Sequence, residues 1–323
     1  MRTLECMRLA AFAALAVLVS ETAHAQQSYP AQPVKVVVAA GAGGFADAVA
    51  RMVSEALSPR IGQTIVIENR GGAGGNIAAR AVAQSAPDGY TVLVSTTSMA
   101  INGTLYKNMG YATADITPVA IVGSSPEVIA VNPSNPAKSV AQFLKPADGK
   151  PVQFGTAGVG SGSHIAAEYL FKMLAKVPSE HVAFPGGAPA IQNVIGNHLN
   201  SVVATMPALT EHIRSGALRG LGVASPKRAV AIPGVPTLVE AGYPDYYASS
   251  WVGFFVPSKT ETAIVQKLND GINNVLREPA VRERLEKSGL EIMINDTAST
   301  VRFFESEIGH WSTRVKAIGV SIN

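Results

Sequence analysis

Short apolar, β-branched runs alternate along the chain with amphipathic segments. VKVVVA (34–39), TIVIE (64–68) and YTVLV (90–94) read as strands, and the stretches 47–57 and 76–84 between them carry apolar residues at helical spacing. The theme returns in VIAVNP (128–133), VQFGTA (152–157), HVAF (181–184), SVVAT (201–205) and LRGLGVA (218–224), with helix patterns over 164–174 and 190–195. A proline-rich stretch (231–245) then leads to WVGFFVP (251–257) and two long helix patterns, 260–277 and 301–318. Strands alternating with helices imply βαβ units and a mostly parallel sheet. The predicted fold is α/β, with two Rossmann-like domains and a ligand cleft between them. Residues 26–124 plus 250–323 form the first domain and 125–249 the second. Crossovers are expected near 123–126 and 248–250, with the C-terminal helices returning to cover the first domain.

The length fits that division. At roughly 150 residues per domain, 323 residues suggest about two. A composition of 47% hydrophobic and 15% charged residues excludes a disordered or coiled-coil chain. The net charge of +3 comes with no basic run or basic-aromatic stripe, so nucleic acid is not an expected partner.

Arg2 and Arg8 precede an apolar stretch from Leu9 to Val19, followed by Ala23-His24-Ala25, the small-x-small pattern cut by signal peptidase. Residues 1–25 are therefore read as a signal peptide cleaved after Ala25, which places the mature protein in the periplasm. The stretch is shorter than the ~20 apolar residues of a membrane span. Cys6, the one cysteine, lies before the apolar run, so the mature chain has neither disulfide nor thiol chemistry. Glu5 is out of place in a positive segment, and translation from Met7 would remove it.

Two glycine-rich loops carry most of the functional information. GAGGFAD (41–47) and GTAGVGSGSH (155–164) each leave a strand and open a helix. Glycine permits close approach of a ligand to the backbone, and the free N–H groups at a helix start favour an anion. One such loop is an ordinary turn as often as a site, whereas two, one per domain, suggest an anion receptor on each wall of a cleft. The first loop has a competing reading. Gly41-x-Gly43-x-x-Ala46 matches the dinucleotide fingerprint, and Glu68 closes the next strand where a ribose-binding acid would sit. An exported protein seldom meets soluble NAD, however, and Asp47 would place a carboxylate beside the pyrophosphate. Asp47 is better read as capping the helix through orphan N–H groups.

Other chemistry has little support. The six histidines show no HxH or HExxH spacing, so no metal site is predicted. Ser161 and Ser163 flank His164 but do not form the G-x-S-x-G nucleophile elbow. No catalytic residue and no cofactor is assigned.

The chain resembles the periplasmic solute receptors of tripartite tricarboxylate transporters, the Bug or TctC-like receptors. The resemblance runs over the whole mature chain. It is carried by YPAQPVKVVV (29–38), GGFADAVAR (43–51), GQTIVIENRGGAGGNIAARAVAQSAPDGYTVL (62–93), INGTLY (101–106), GTAGVGSGSHIAAEYLF (155–171), GGAPA (186–190), IPGVPTLVEAGYP (232–244) and SSWVGFFVP (249–257). It implies a two-domain receptor that closes on a small carboxylate through backbone N–H groups, hydroxyls and bridging waters. A membrane permease is the implied partner. The alternative is a ligand-dependent sensor module that uses the same fold and has a membrane sensor kinase as its partner, and a monomer is expected.

Matched onto this sequence, the site comprises Gly43, Gly44, Phe45, Ala46 and Asp47 of the first loop, and Thr156, Gly158, Ser161, Ser163 and His164 of the second. Gly187 of a third loop joins them. Ser95 and Thr97, after the strand ending at Val94, and Thr205, at a comparable strand end, supply hydroxyls that bond the ligand or satisfy their own loops. His164 either faces the ligand or holds its loop by a hydrogen bond. The chain departs from the family at Ala40, Gly41 and Ala42, where an aromatic and two prolines are usual, at Phe45, where a small residue is usual, and at Pro185 and 200–204, which lack the usual basic and acidic residues. A roomier, less negative cleft with an aromatic face follows, suited to an aromatic dicarboxylate such as terephthalate.

Overall fold

The computed structural model describes residues 29–145 and 149–323. The expected signal segment, its cleavage after Ala25, Cys6 and the Met7 start lie outside these residues. Strand β1 (Val34–Val38) buries every residue but Lys35, as a strand covered on both faces must, and so it reads as a nearly unbroken apolar run. Helix α1 (Phe45–Ile61) follows, with buried Ala46, Val49, Ala50, Val53 and Leu57 at helical spacing. It ends at Gly62, whose φ of 68° is left-handed and open to a residue without a Cβ. Then come β2 (Ile65–Asn69), α2 (Asn76–Ala83) and β3 (Thr91–Thr96). Strand β1 pairs in parallel with both β2 and β3.

Helix α3 (Ser98–Leu105) escapes the sequence pattern because six of its eight residues are buried, which leaves no polar face to mark a period. Strand β4 (Ile116–Val131) spans sixteen residues, of which the sequence pattern marks only the end. Pro118, Gly123 and Pro126 read as turn formers, yet the strand accommodates the first two at register shifts between Pro118 and Ala120 and between Ile121 and Gly123. Next are α4 (Val140–Phe143), β5 (Val152–Thr156), α5 (Gly162–Glu168) with a wider helical turn over Tyr169–Leu174, β6 (Ser179–Ala183) and α6 (Gly187–Ile195). After them come β7 (Ser201–Thr205), α7 (Met206–Arg214), β8 (Arg219–Val223) and β9 (Ser249–Pro257). Helices α8 (Thr262–Arg277) and α9 (Pro279–Lys287), the short β10 (Glu291–Ile292) and helix α10 (Thr297–Ile318) complete the chain.

The strand order is β2-β1-β3-β9-β4-β7-β5-β6, with β8 and β10 also attached to β4. The sheet is mixed, a correction to the mostly parallel sheet read from the alternation. Strand β9 runs antiparallel to both β3 and β4, and β4 antiparallel to β7 and β8. The alternation shows only that helices connect strands. The long excursion from β4 to β9 returns the chain against the direction of its neighbours. From Ile116 to Pro126, β4 pairs with β9, and from Glu127 to Val131 it pairs with β7 and β8. The change of partners falls between Pro126 and Glu127.

The core is continuous across this change. Its largest cluster runs from Leu93 and Ile101 to Phe154, Phe171 and Trp251. Helix α10, capped by Asp296 accepting the Ser299 N–H at 2.7 Å, packs on α3 and on the 169–174 turn, which lie on the two halves of the sheet. Its Arg314 sits among the rings of Tyr169, Tyr246 and Trp311, 5.1–5.7 Å from their centroids. Among the described residues no helix is long and apolar enough to cross a membrane.

Candidate functional site

The first loop is built around Asp47. Its carboxylate accepts the Gly43 N–H at 2.8 Å, the Asn69 amide at 2.9 Å and the Arg51 guanidinium at 3.0 Å. Burial pushes this carboxyl up, but the Arg51, Gly43 and Asn69 hydrogen bonds outweigh it and hold it below the usual range. The Gly44 N–H is bonded to the Gly41 carbonyl at 3.3 Å. The N–H groups of Phe45 and Ala46 stand first in α1, where no preceding turn offers them a carbonyl. Phe45 is half-buried and packs one side against the core of β1, α1 and α8. Glu68, the residue placed on a ribose by the dinucleotide reading, pairs with Arg70 and Lys35.

A second loop shares this wall and went unassigned in the sequence reading. Residues 71–75 pack against 39–41, so closely that a Cβ on Gly71 would lie 3.3 Å from the Gly41 nitrogen. Asn102 of α3 donates to the Gly74 carbonyl and to Asn76 Oδ1, both at 2.9 Å. These bonds orient both amides and leave Asn76 Nδ2 and Asn102 Oδ1 buried without partners, as is Ser95 Oγ. Buried polar groups seldom lack partners, and these three are hydrogen-bonding atoms that no protein group engages. The signal in the sequence was the GGAGGN run itself. Thr97 lies nearby but is engaged, for its hydroxyl accepts the Trp251 N–H at 2.9 Å and braces β3 against β9.

The second wall is the loop after β5. Thr156 Oγ1 lies 2.7 Å from His181 Nε2 and accepts the Gly158 N–H at 3.3 Å. Ser161 caps α5, accepting the His164 N–H at 3.2 Å and donating to the Gly158 carbonyl at 2.8 Å. His164 holds the loop, since its Nδ1 accepts the Gly160 N–H at 3.3 Å while its ring stacks on His181. Burial pushes His164 down to about 3 and His181 down to about 4. Both rings are therefore neutral and supply no positive charge to an anion. Gly187 opens α6 with free space at its Cβ position, and Thr205 ends β7 with no cap bond from its side chain. Thus Thr156, Ser161 and His164 shape the loop, and neither Ser161 nor Ser163 bonds His164 as a nucleophile would bond its base.

The walls meet. A Cβ on Gly160 would come within 2.8 Å of Leu105 Cδ2, and one on Gly41 within 3.8 Å of the Pro185 carbonyl. Where β4 changes partners lies Glu127, absent from the sequence reading. It is 2% exposed, with Oε1 accepting the Ser250 hydroxyl at 2.6 Å and Oε2 the Ser163 hydroxyl at 2.7 Å. Its signal was a lone acid inside the run PEVIAV. A cavity of about 270 Å³ opens beside the same crossing, lined by Ser124, Ser249, Glu307 and His310, and takes in none of the predicted site residues. Ser95 Oγ, Asn76 Nδ2 and Asn102 Oδ1 lie at the facing loops and not at this cavity. Among the described residues no group of three or more His, Cys, Asp or Glu is placed to hold a metal ion.

The model of the tripartite tricarboxylate transporter family receptor, TctC, matches residues 49–320. Protein BugT of Bordetella pertussis (strain Tohama I) is 34% identical over 300 residues, covering 91% of this chain and 92% of its own. Three solved structures superpose closely. The periplasmic binding protein BugD has a TM-score of 0.85 at 30% identity over 91% of this chain and 99% of its own. R. palustris Rpa4515 with adipate gives 0.86 at 33%, over 91% and 99%. MatC (Rpa3494) from Rhodopseudomonas palustris with bound malate gives 0.83 at 30%, over 89% and 100%. The mixed sheet with flanking helices is the periplasmic binding protein fold, and the chain belongs to the tripartite tricarboxylate transporter receptor family as a Bug/TctC-type carboxylate-binding receptor, not an enzyme.

Proposed function

We propose that this protein captures a dicarboxylate in the periplasm between the 41–47 and 71–76 loops on one side and the 156–164 loop, Gly187 and Thr205 on the other. The observation that carries the reading is the set of unpartnered atoms Ser95 Oγ and Asn76 Nδ2 on a wall that touches the opposite loop. Each charge-assisted hydrogen bond contributes about 1.5–3 kcal/mol, and micromolar affinity needs about 8 kcal/mol net. Several donors on both walls must act together. Residues 26–124 with 250–323 move as one domain and 125–249 as the other, about a hinge at 123–127 and 248–250. The closed monomer then presents its ligand to the permease subunits of a tripartite transporter. Gly43, Gly44 and Asp47 shape the first loop, and Phe45 and Ala46 offer their N–H groups.

Adipate and malate in the neighbouring structures support a two-ended acid. The finer reading is an extended or flat body such as terephthalate, which would lie against the half-buried Phe45. Calorimetry of residues 26–323 with adipate, malate and terephthalate, with solution scattering of the same samples, tests both levels. Binding with a smaller radius of gyration and unchanged recovered ligand is expected. An unchanged radius at saturation removes the hinge, and altered ligand removes the receptor.

A further inference from the structure

Glu127 is the first residue of β4 to pair with β7, opposite Thr205. Its two oxygens bond hydroxyls from opposite sides of the crossing. Ser250 belongs to β9, which pairs with the first part of β4, and Ser163 to α5, which opens directly behind the 156–161 loop. The fit around it is tight, because a Cβ on Gly162 would lie 2.2 Å from Ser250 Oγ. A shift of α5 relative to β9 therefore changes the surroundings of this carboxyl.

We propose that Glu127 is a positioning residue whose carboxyl takes up a proton from solvent when the facing loops close on an anion. The inference rests on the receptor reading. A carboxylate at this point is a buried negative charge behind the loop that receives a carboxylate ligand, and the neutral acid removes the repulsion. Serine hydroxyls both donate and accept, so in the acid form one of them can turn to accept the new proton while the other goes on donating to the carbonyl oxygen of the acid. Burial pushes the Glu127 carboxyl up to about 7 against the opposing Ser250 and Ser163 bonds, which places the exchange near neutral pH. The groups facing it leave that balance to Glu127. On α5, His164 is neutral and Glu168 is paired with Lys172. The buried Tyr246 phenol is raised by desolvation and donates to the Ala166 carbonyl at 2.7 Å, with Arg314 over its ring. By reciprocity, whatever binding does to the proton affinity, the proton does to ligand affinity.

The test is calorimetry of adipate and malate in buffers of different ionisation heat, which counts protons taken up per ligand. The wild type should take up a fraction of a proton near neutrality and lose affinity by up to about tenfold per pH unit above it. Glu127→Gln should take up none and bind with a flat pH profile, and Ser250→Ala, which lacks one bond to the ionised form, should shift the wild-type profile to higher pH. Equal uptake in Glu127→Gln, or none in the wild type, overturns the proposal. If neither diacid binds, the receptor reading fails for these ligands and urea unfolding decides the proton. Between about pH 4.3, the unperturbed glutamate value, and about pH 7 the folded state binds the extra proton, so the wild type should lose stability relative to Glu127→Gln as pH rises through that window and run parallel to it above; parallel curves throughout overturn the assignment.

Discussion

His164 and His181 stack with ring centroids 4.0 Å apart and planes inclined by 28°, one ring holding the Gly160 N–H and the other bonded to Thr156. Two imidazoles so close and so buried cannot readily carry charge together, and the loop they support depends on their staying neutral. The pair is thus a framework for the second wall and not a cationic receptor.

This predicts acid sensitivity. Both histidines are depressed below their ordinary value, so the unfolded chain binds more protons than the folded one, and stability rises with pH in that range. The contribution is fully present above about 6.5, the unperturbed histidine value, and is lost as pH falls toward about 4 and then about 3. The melting temperature should fall between pH 7 and pH 5. His181→Phe, which keeps a ring in the stack, should flatten that fall, and an unaltered profile would dismiss the pair as its source.

Asp47 should behave as the brace of the first loop. Asp47→Ala strands the Gly43 N–H and the Asn69 amide and releases Arg51. A loss of about 3 kcal/mol in urea unfolding is expected, since bonds to charged groups contribute about 1.5–3 kcal/mol each. Ligand affinity should weaken with it. Full stability in Asp47→Ala would show that the loop is held by something else.

Ser95 should behave in the opposite way. Its hydroxyl is 1% exposed and unpartnered, so Ser95→Ala removes no internal bond and should leave the melting temperature unchanged or higher. Dicarboxylate affinity should drop about tenfold or more, the equivalent of one charge-assisted bond. Calorimetry showing wild-type affinity would move the ligand away from the 71–76 loop.

Phe45 separates flat from flexible ligands. Phe45→Ala should weaken terephthalate about tenfold and adipate hardly at all, because stacking contributes about 0.5–1.5 kcal/mol beyond area burial. If the substitution lowers the melting temperature and leaves both affinities alone, the ring serves only the core of β1, α1 and α8.

The sequence by itself determined most of the elements and both glycine loops, because these are local. VKVVV is apolar throughout since both faces of β1 are covered, and the loops after β1 and β5 turn on glycines with φ of 77° at Gly43 and 123° at Gly158. The long motif set carried the family, and Asp47 was legible as a carboxylate that accepts backbone N–H at the first loop, although it holds Gly43 ahead of the helix and does not cap the helix itself. Direction and partnership were not. Nothing local tells β9 to run antiparallel to β3, or β4 to continue through Pro118 and Pro126, because strand pairing is settled by residues more than a hundred positions apart. The same distance hid the division of labour among the hydroxyls. Thr97 is engaged by Trp251 and Ser163 by Glu127, while Ser95 is left unpartnered. A hydroxyl's partner is chosen by the packing that surrounds it, which only the tertiary structure supplies.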